Sequence, residues 1–340
     1  MKKLDNNKFL IELKSSLSNK KLIVIGILLV TAIILVKGGI DAGIIGDIGG
    51  KDYPKKGLNS HMASKGDGEY KSGSEDGQDE AATENSSENI RYHTFPIESK
   101  VLDKDSYYDY SNAKLAWYMV RNENHEPTGC DETIDIYKYA GYHVDKKAKA
   151  SDKVLYLTFD CGYDNGYTEQ MLDVLKKHNV PACFFVTQTY IRDNIELTKR
   201  MKEEGHQVGN HTVTHPSMPE ESYEEILEEV TGCADYMVEA TGYAMDPYLR
   251  PPMGEYSERT LKITQDLGYK NIFWSMAYMD YDVNNQPGVD YVTAHFEKYH
   301  HNGAIILMHN VSSSNAGALE TVIINMKAKG YRFASLNELK

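Results

Sequence analysis

The sequence predicts an α/β fold, a distorted (β/α) barrel, carried behind an N-terminal membrane anchor and a disordered linker. From Lys153 onward, apolar strand-like runs alternate with amphipathic helical patterns about seven times, the signature of parallel βαβ units curling toward a barrel. A basic flank precedes an uninterrupted apolar run near the start, the pattern of an export signal or anchor. Between the two lies a stretch of Gly, Ser and acidic residues with almost no large apolar side chain. Such a composition cannot bury enough surface to offset its ordering entropy.

Residues 1–21 form the basic segment, with Lys2, Lys3, Lys8, Lys14, Lys20 and Lys21 expected on the cytoplasmic side. The span is placed at 22–40: the run Leu22–Val36 is short for a bilayer, and Lys37 with Gly38-Gly39-Ile40 can extend it. No small-x-small site follows directly, so an uncleaved signal-anchor is preferred to a cleaved peptide, with the folded part outside the membrane. Residues 41–97 are the linker, 98–150 a tyrosine-rich extension, and 151–340 the barrel.

Strands are expected at Val154–Phe159, Ala182–Thr187, Gln207–Asn210, Pro247–Leu249, Asn271–Met276, Ala304–Met308 and Arg332–Leu336. Helices are expected around Thr168–His178, Ile195–Glu204, Ser222–Ala240, Ser257–Leu267, Val289–His300 and Ala316–Lys329, several closing at a glycine. Four cysteines, Cys130, Cys161, Cys183 and Cys233, permit three pairings. Cys183 lies in an apolar strand and Cys233 in a helical pattern, so buried free thiols are the expectation. There is no CxxC pair and hence no zinc ribbon.

Charge narrows the function. Lys and Arg total 37 against 50 Asp and Glu, a net charge of -13. That balance argues against nucleic acid, whose recognition needs clustered basic surface, and leaves an extended polar polymer open. The strand ends are more informative. Asp160 follows the first strand, His211 the third, Arg250 the fourth and His309 the sixth, while Asp280 lies just past the fifth. In a parallel barrel these ends open on one face, so five ionisable groups from distant segments converge.

His211 and His215, four residues apart, can share a metal if the chain turns helically after Asn210. The pattern lacks the glutamate of HExxH, which excludes that protease class. Arg250, stiffened by Pro251 and Pro252, can pair with a carboxylate and keep it ionised. Asp280 beside His309 would raise the imidazole pKa and suit it to acid catalysis. Metal, carboxylate base and histidine acid together make the parts for amide or ester hydrolysis.

TFDCG at 158–162, HTVTH at 211–215, RPP at 250–252, DY at 280–281 and LMH at 307–309 resemble, in that order, the five motifs of the NodB-type polysaccharide deacetylases, carbohydrate esterase family 4. The resemblance covers roughly 151–340. The longer phrases TFDCGYDNGYT, EEGHQVGNHTVTHP and IFWSMAYMDYDVNNQ are similar to the PdaA-like branch, as is WYMVRNENH at 117–125 in the extension.

This resemblance implies removal of the acetyl group from N-acetylmuramic acid in peptidoglycan, toward muramic δ-lactam in the spore cortex. It implies a monomer acting on glycan strands in the space outside the membrane. It implies Asp160 as general base, Arg250 as its orienter, His309 as acid and Asp280 as its tuner. His211 and His215 would hold a divalent cation, zinc first, with cobalt or manganese as alternatives. Trp274, Tyr281 and Leu307 are expected along the substrate pocket, although core packing explains Trp274 and Leu307 equally well. The family motif usually has a second Asp where this chain has Cys161. A thiolate could ligate the metal there, or two histidines with water could hold it. The competing readings are an N-acetylglucosamine deacetylase and a catalytically silent glycan-binding barrel.

Overall fold

The structure is a computed structural model and describes residues 103–339. The basic segment, the expected span 22–40 and the linker 41–97 lie outside the described residues. Among the described residues no helix is long and apolar enough to cross a membrane.

Four short strands belong to the extension: β1 (Leu115–Ala116), β2 (Met119–Val120), β3 (Gly129–Cys130) and β4 (Gly141–Tyr142). The barrel follows as β5 (Val154–Cys161), α1 (Thr168–His178), β6 (Ala182–Val186), α2 (Gln188–Asp193), α3 (Ile195–Glu203) and β7 (Gln207–Asn210). It continues through α4 (Tyr223–Thr241), β8 (Tyr248–Leu249), β9 (Glu255–Tyr256), α5 (Glu258–Asp266) and β10 (Lys270–Ile272). The last elements are α6 (Val289–Tyr299), β11 (Ala304–His309), α7 (Ser313–Ala328) and β12 (Arg332–Phe333).

The main sheet runs β11-β5-β6-β7-β8-β10-β4, with β12 also paired to β5, and the pairs in it are parallel. It curls, and two isolated bridges meet β11: Met276, after β10, pairs with Ile306, and Val144, after β4, pairs with Ala304. This is the distortion of the expected barrel: the seam is made of bridges instead of a ladder. The strand expected at Asn271–Met276 is regular only through Ile272. The extension supplies the missing edge, β4 lying parallel to β10 with Gly141 opposite Asn271.

Side chains alternate across the curled sheet because successive residues of a strand point to opposite faces. On β5, Leu155, Leu157, Phe159 and Cys161 pack outward on Met171 and Leu172 of α1 and Leu319 and Val322 of α7. Val154 and Tyr156 face inward with Cys183, Phe185, Tyr248 and Ile305. Full burial of each large apolar side chain contributes about 1.5–3 kcal/mol. Side chains cap the starts of α2, α4, α5 and α7; at α4, Ser222 accepts the Glu225 N–H and Glu225 accepts the Ser222 N–H. The four cysteines are free thiols, three of them buried, as expected.

Candidate active site

Inward-facing residues at the C-terminal ends of the strands build the site. Asp160 continues the inward row of β5, one pleat above Thr158. Arg250, just past β8, is fully buried and reaches both: its Nη1 donates to Asp160 Oδ1 at 2.6 Å and its Nη2 to Thr158 Oγ1 at 2.8 Å. Nε donates to the Ile272 carbonyl at 3.0 Å, and the guanidinium lies 4.3 Å from the Phe185 ring centroid. Every arm of this cation is therefore engaged or covered, which fixes it as a counter-charge. Burial alone would raise the Asp160 pKa, but Arg250 and then His211 outweigh it and hold the carboxyl below its ordinary value.

His211 and His215 lie in the loop after β7. The expected helical turn is absent. Thr212 and His215 instead have φ of 69° and 62°, in the left-handed region. Side chains hold this tight loop: Thr212 N–H donates to Asn210 Oδ1 at 2.8 Å and His215 N–H to Thr212 Oγ1 at 3.0 Å. The two imidazole centroids still come within 4.7 Å, at 75°. His211 Nδ1 donates to the Arg250 carbonyl at 2.9 Å, which leaves Nε2 as a lone pair 3.6 Å from Asp160 Oδ2. Burial lowers the His211 pKa to about 4, and it lowers that of His215 too.

Opposite them, His309 ends β11. Its Nδ1 bonds Asp280 Oδ1 at 2.7 Å, and its backbone N–H donates to Asp280 Oδ2 at 2.8 Å. Burial works against the charged imidazole, but the hydrogen bond and charge of Asp280 prevail and the His309 pKa is raised. With Nδ1 engaged, Nε2 is the ring atom left for the cavity. Asn315 was not anticipated from the sequence. Its Nδ2 donates to Asp280 Oδ2 at 2.6 Å and to the His309 carbonyl at 3.1 Å, while Tyr278 OH donates to its Oδ1 at 2.7 Å. Thr158 was also missed, although its inward register two residues before Asp160 could have identified it.

These groups open on one cavity of about 710 Å³, lined by Asp160, His211, His215 and His309 together with Trp274, Tyr281, Leu307, Met253 and Gly254. Asp280 and Arg250 stand behind the lining, each touching a residue in it. Cys161 requires a correction. As the neighbour of an inward Asp160 on the same strand, it must face outward, and its thiol lies in the helix-side core. Burial, then the Asp160 charge, pushes that thiol well above its ordinary pKa, so it is neither aimed at the cavity nor a thiolate.

A polysaccharide deacetylase family model matches residues 147–272. The peptidoglycan-N-acetylmuramic acid deacetylase PdaA of Bacillus subtilis is 41% identical over 230 residues, covering 67% of this chain and 86% of that protein. The chain belongs to the polysaccharide deacetylase family. The solved structure of B. subtilis PdaA, described as a family 4 carbohydrate esterase, superposes on this deacetylase with a TM-score of 0.64, covering 67% of this chain and 97% of that one. The peptidoglycan-N-acetylglucosamine deacetylase PgdA of Listeria monocytogenes is 35% identical over 193 residues, 57% of this chain and 40% of that protein. The deacetylase is accordingly a hydrolase of the acetamide bond.

Family 4 deacetylases are metalloenzymes. The donors here fit a divalent cation. His211 presents an unprotonated Nε2 to an ionised carboxylate 3.6 Å away, and two electron-rich atoms buried so close call for positive charge beside them. Among the described residues no three His, Cys, Asp or Glu side chains are grouped to hold a metal by themselves. Two imidazoles would therefore hold the ion, with water or substrate completing it, as at catalytic sites that keep open positions.

Proposed function

We propose that this deacetylase removes the N-acetyl group of N-acetylmuramic acid in peptidoglycan glycan strands, as a step toward muramic δ-lactam in spore cortex. The observation that carries the chemistry is the opposition of two different pairs across one cavity: Asp160, bonded to Arg250 and with its pKa lowered, and His309, bonded to Asp280 and with its pKa raised. The muramic acid assignment is supported by the 41% identity to a relative named for that activity, against 35% to one named for N-acetylglucosamine.

Asp160 accepts a proton from the attacking water, whose oxygen bonds to the acetamide carbonyl carbon. When the C–N bond breaks, His309 gives its Nε2 proton to the departing amine, leaving acetate and a free amino sugar. Arg250 keeps Asp160 aimed and ionised, and Asp280 favours the charged form of His309 and holds it in one orientation. His211 and His215 would hold a divalent cation, zinc before cobalt or manganese, which when bound would supply positive charge for polarising the carbonyl and acidifying the water. Trp274, Leu307 and Tyr281 wall the cavity, with Tyr281 exposed and suited to lie along a sugar ring. The membrane tether at 22–40, with the barrel outside, would present this cavity to the wall.

The test is mass spectrometry of glycan strands incubated with the full chain, with stem peptides intact or removed, and with zinc added or chelated. Acetyl loss at muramic acid, dependent on metal, is expected. Loss confined to glucosamine overturns the substrate assignment. Retained glycan binding with no acetyl loss under any metal makes the barrel catalytically silent.

A further inference from the structure

We propose that Trp117, in the N-terminal extension, is a positioning residue of the deacetylase site: it holds Trp274, a wall of the cavity, from behind. Trp117 does not line the cavity. It follows β1, which pairs antiparallel with β9, and so stands where the two segments forming that wall meet. Its backbone N–H donates to the Gly254 carbonyl at 2.8 Å, and its indole Nε1 donates to the Trp274 carbonyl at 2.9 Å. Its ring stacks on Phe273, with centroids 4.5 Å apart.

The reason such a clamp is needed lies in the chain after β10. Past Ile272 the strand is no longer regular, so its carbonyls lack an intact ladder. In the run 274–277, Met276 O takes the Leu307 N–H of β11 at 2.9 Å. The other three find their donors in the extension: Trp274 O in Trp117, Ser275 O in Thr128 Oγ1 at 3.2 Å, and Ala277 O in Arg121 Nη2 at 2.8 Å. Three side chains thus replace the missing ladder under the segment that bears Trp274 and leads to Asp280. Packing is tight at the junction. A Cβ on Gly254 would stand 2.8 Å from Trp274 Cη2 and 3.4 Å from Trp117 Cβ, and Gly254 has φ of +67°. The indole of Trp274 is set between Gly254 on one side and its tethered carbonyl on the other.

The chain has two tryptophans, so Trp117→Phe leaves Trp274 as its own reporter. Phenylalanine keeps an aromatic ring against Phe273 and deletes the N–H to Trp274 O. With peptide-stripped glycan strands as substrate, KM should rise about tenfold while kcat stays within about threefold, the split expected when a binding wall loosens. Trp274 emission should shift to the red and its acrylamide quenching increase, relative to the difference between wild type and Trp274→Phe. Unchanged KM with unchanged Trp274 quenching overturns the proposal. So does a fall in kcat alone, which would place Trp117 with the chemistry. Should Trp117→Phe fail to fold, Arg121→Met removes the next tie and leaves the indole packed; a raised KM is expected, and wild-type kinetics would overturn the clamp. The kinetic arm rests on the substrate reading above. Fluorescence needs no turnover, so glycan strands that wild type leaves unchanged would sink that reading while the quenching still decides the clamp.

Discussion

Each side of the cavity has an aspartate beside a histidine, and the two imidazole pKa values are shifted in opposite directions. Asp160 has Arg250 as well as His211. Burial outweighs the attraction of Asp160, which the guanidinium already engages at 2.6 Å, so His211, 3.6 Å from that carboxylate, has its pKa lowered to about 4 and keeps an unprotonated nitrogen. Among the described residues no arginine donates to Asp280. Its contacts are the amide of Asn315, the N–H of His309 and the His309 ring, and the ring takes the charge. Burial works against the charge on both imidazoles, and the difference lies in the carboxylate: one bonded directly to the ring outweighs desolvation, whereas one already engaged by a permanent cation and 3.6 Å away does not.

Removing that cation should give the largest effect. Arg250→Met leaves Asp160 buried without its counter-charge and Thr158 Oγ1 and the Ile272 carbonyl without their donor. A loss of about 3–5 kcal/mol of stability is expected from breaking one partner out of a buried pair. The Asp160 pKa should rise, so the acidic limb of the kcat/KM profile moves to higher pH. Chemical denaturation and a pH–rate series check both. A variant as stable as wild type would mean that the pair is dispensable to the fold.

Asp280→Asn comes next, and its signature is direction. In the wild type the His309 pKa is raised, so the charged acid persists above the ordinary histidine range and activity is lost as pH rises through the raised value. Without the carboxylate, burial dominates and the alkaline limb should move down by about one unit or more, with kcat lower by about 10²-fold. Linkage has the same sign. The raised pKa contributes stability that is fully present below about pH 6.5 and is lost as pH rises through the folded value. The melting difference between wild type and variant should therefore be greatest in acid. A limb that stays in place would remove His309 from the acid role.

Asn315→Ala separates position from charge on the same side. It deletes the donors to Asp280 Oδ2 and the His309 carbonyl but leaves the Asp280–His309 contact. We expect kcat to fall about tenfold without a downward move of the alkaline limb. A limb that moves down as far as in Asp280→Asn would show that Asn315 acts through the charge of the pair.

Much of this contrast was legible in the chain. Asp160, Arg250 and His309 end parallel strands or directly follow them, so alternation alone places them on one face, and every expected strand is present, although those expected at Asn271–Met276 and Arg332–Leu336 stop at Ile272 and Phe333. What could not be read depended on contacts without a local mark. Asn315 sits in an ordinary serine-rich helix start, 35 residues from the carboxylate it supports. The tight left-handed loop of Thr212 and His215 replaces a helical turn because Asn210 and Thr212 side chains satisfy its backbone. The extension is built from two-residue strands, too short for periodicity to detect, and two of them, β1 and β4, find their partners far along the chain.

Cys161 is the instructive error, and it yields the smallest predicted effect. The motif comparison assigned it the place of a metal-binding carboxylate. Period two makes that incompatible with an inward Asp160, because adjacent strand residues face opposite ways. The thiol is buried among Leu157, Phe159, Met171 and Tyr190, and its Sγ approaches the Phe159 carbonyl at 3.8 Å. Cys161→Ala therefore removes a core atom and no ligand. It should cost about 1–2 kcal/mol of stability, the penalty of a small cavity, and leave kcat/KM within about twofold. Zinc titration by calorimetry is the sharper measurement, since an outward thiol cannot affect it. An unchanged affinity is expected, whereas a drop of tenfold or more would mean that the end of β5 turns over when metal binds and that the two imidazoles have a sulfur partner after all.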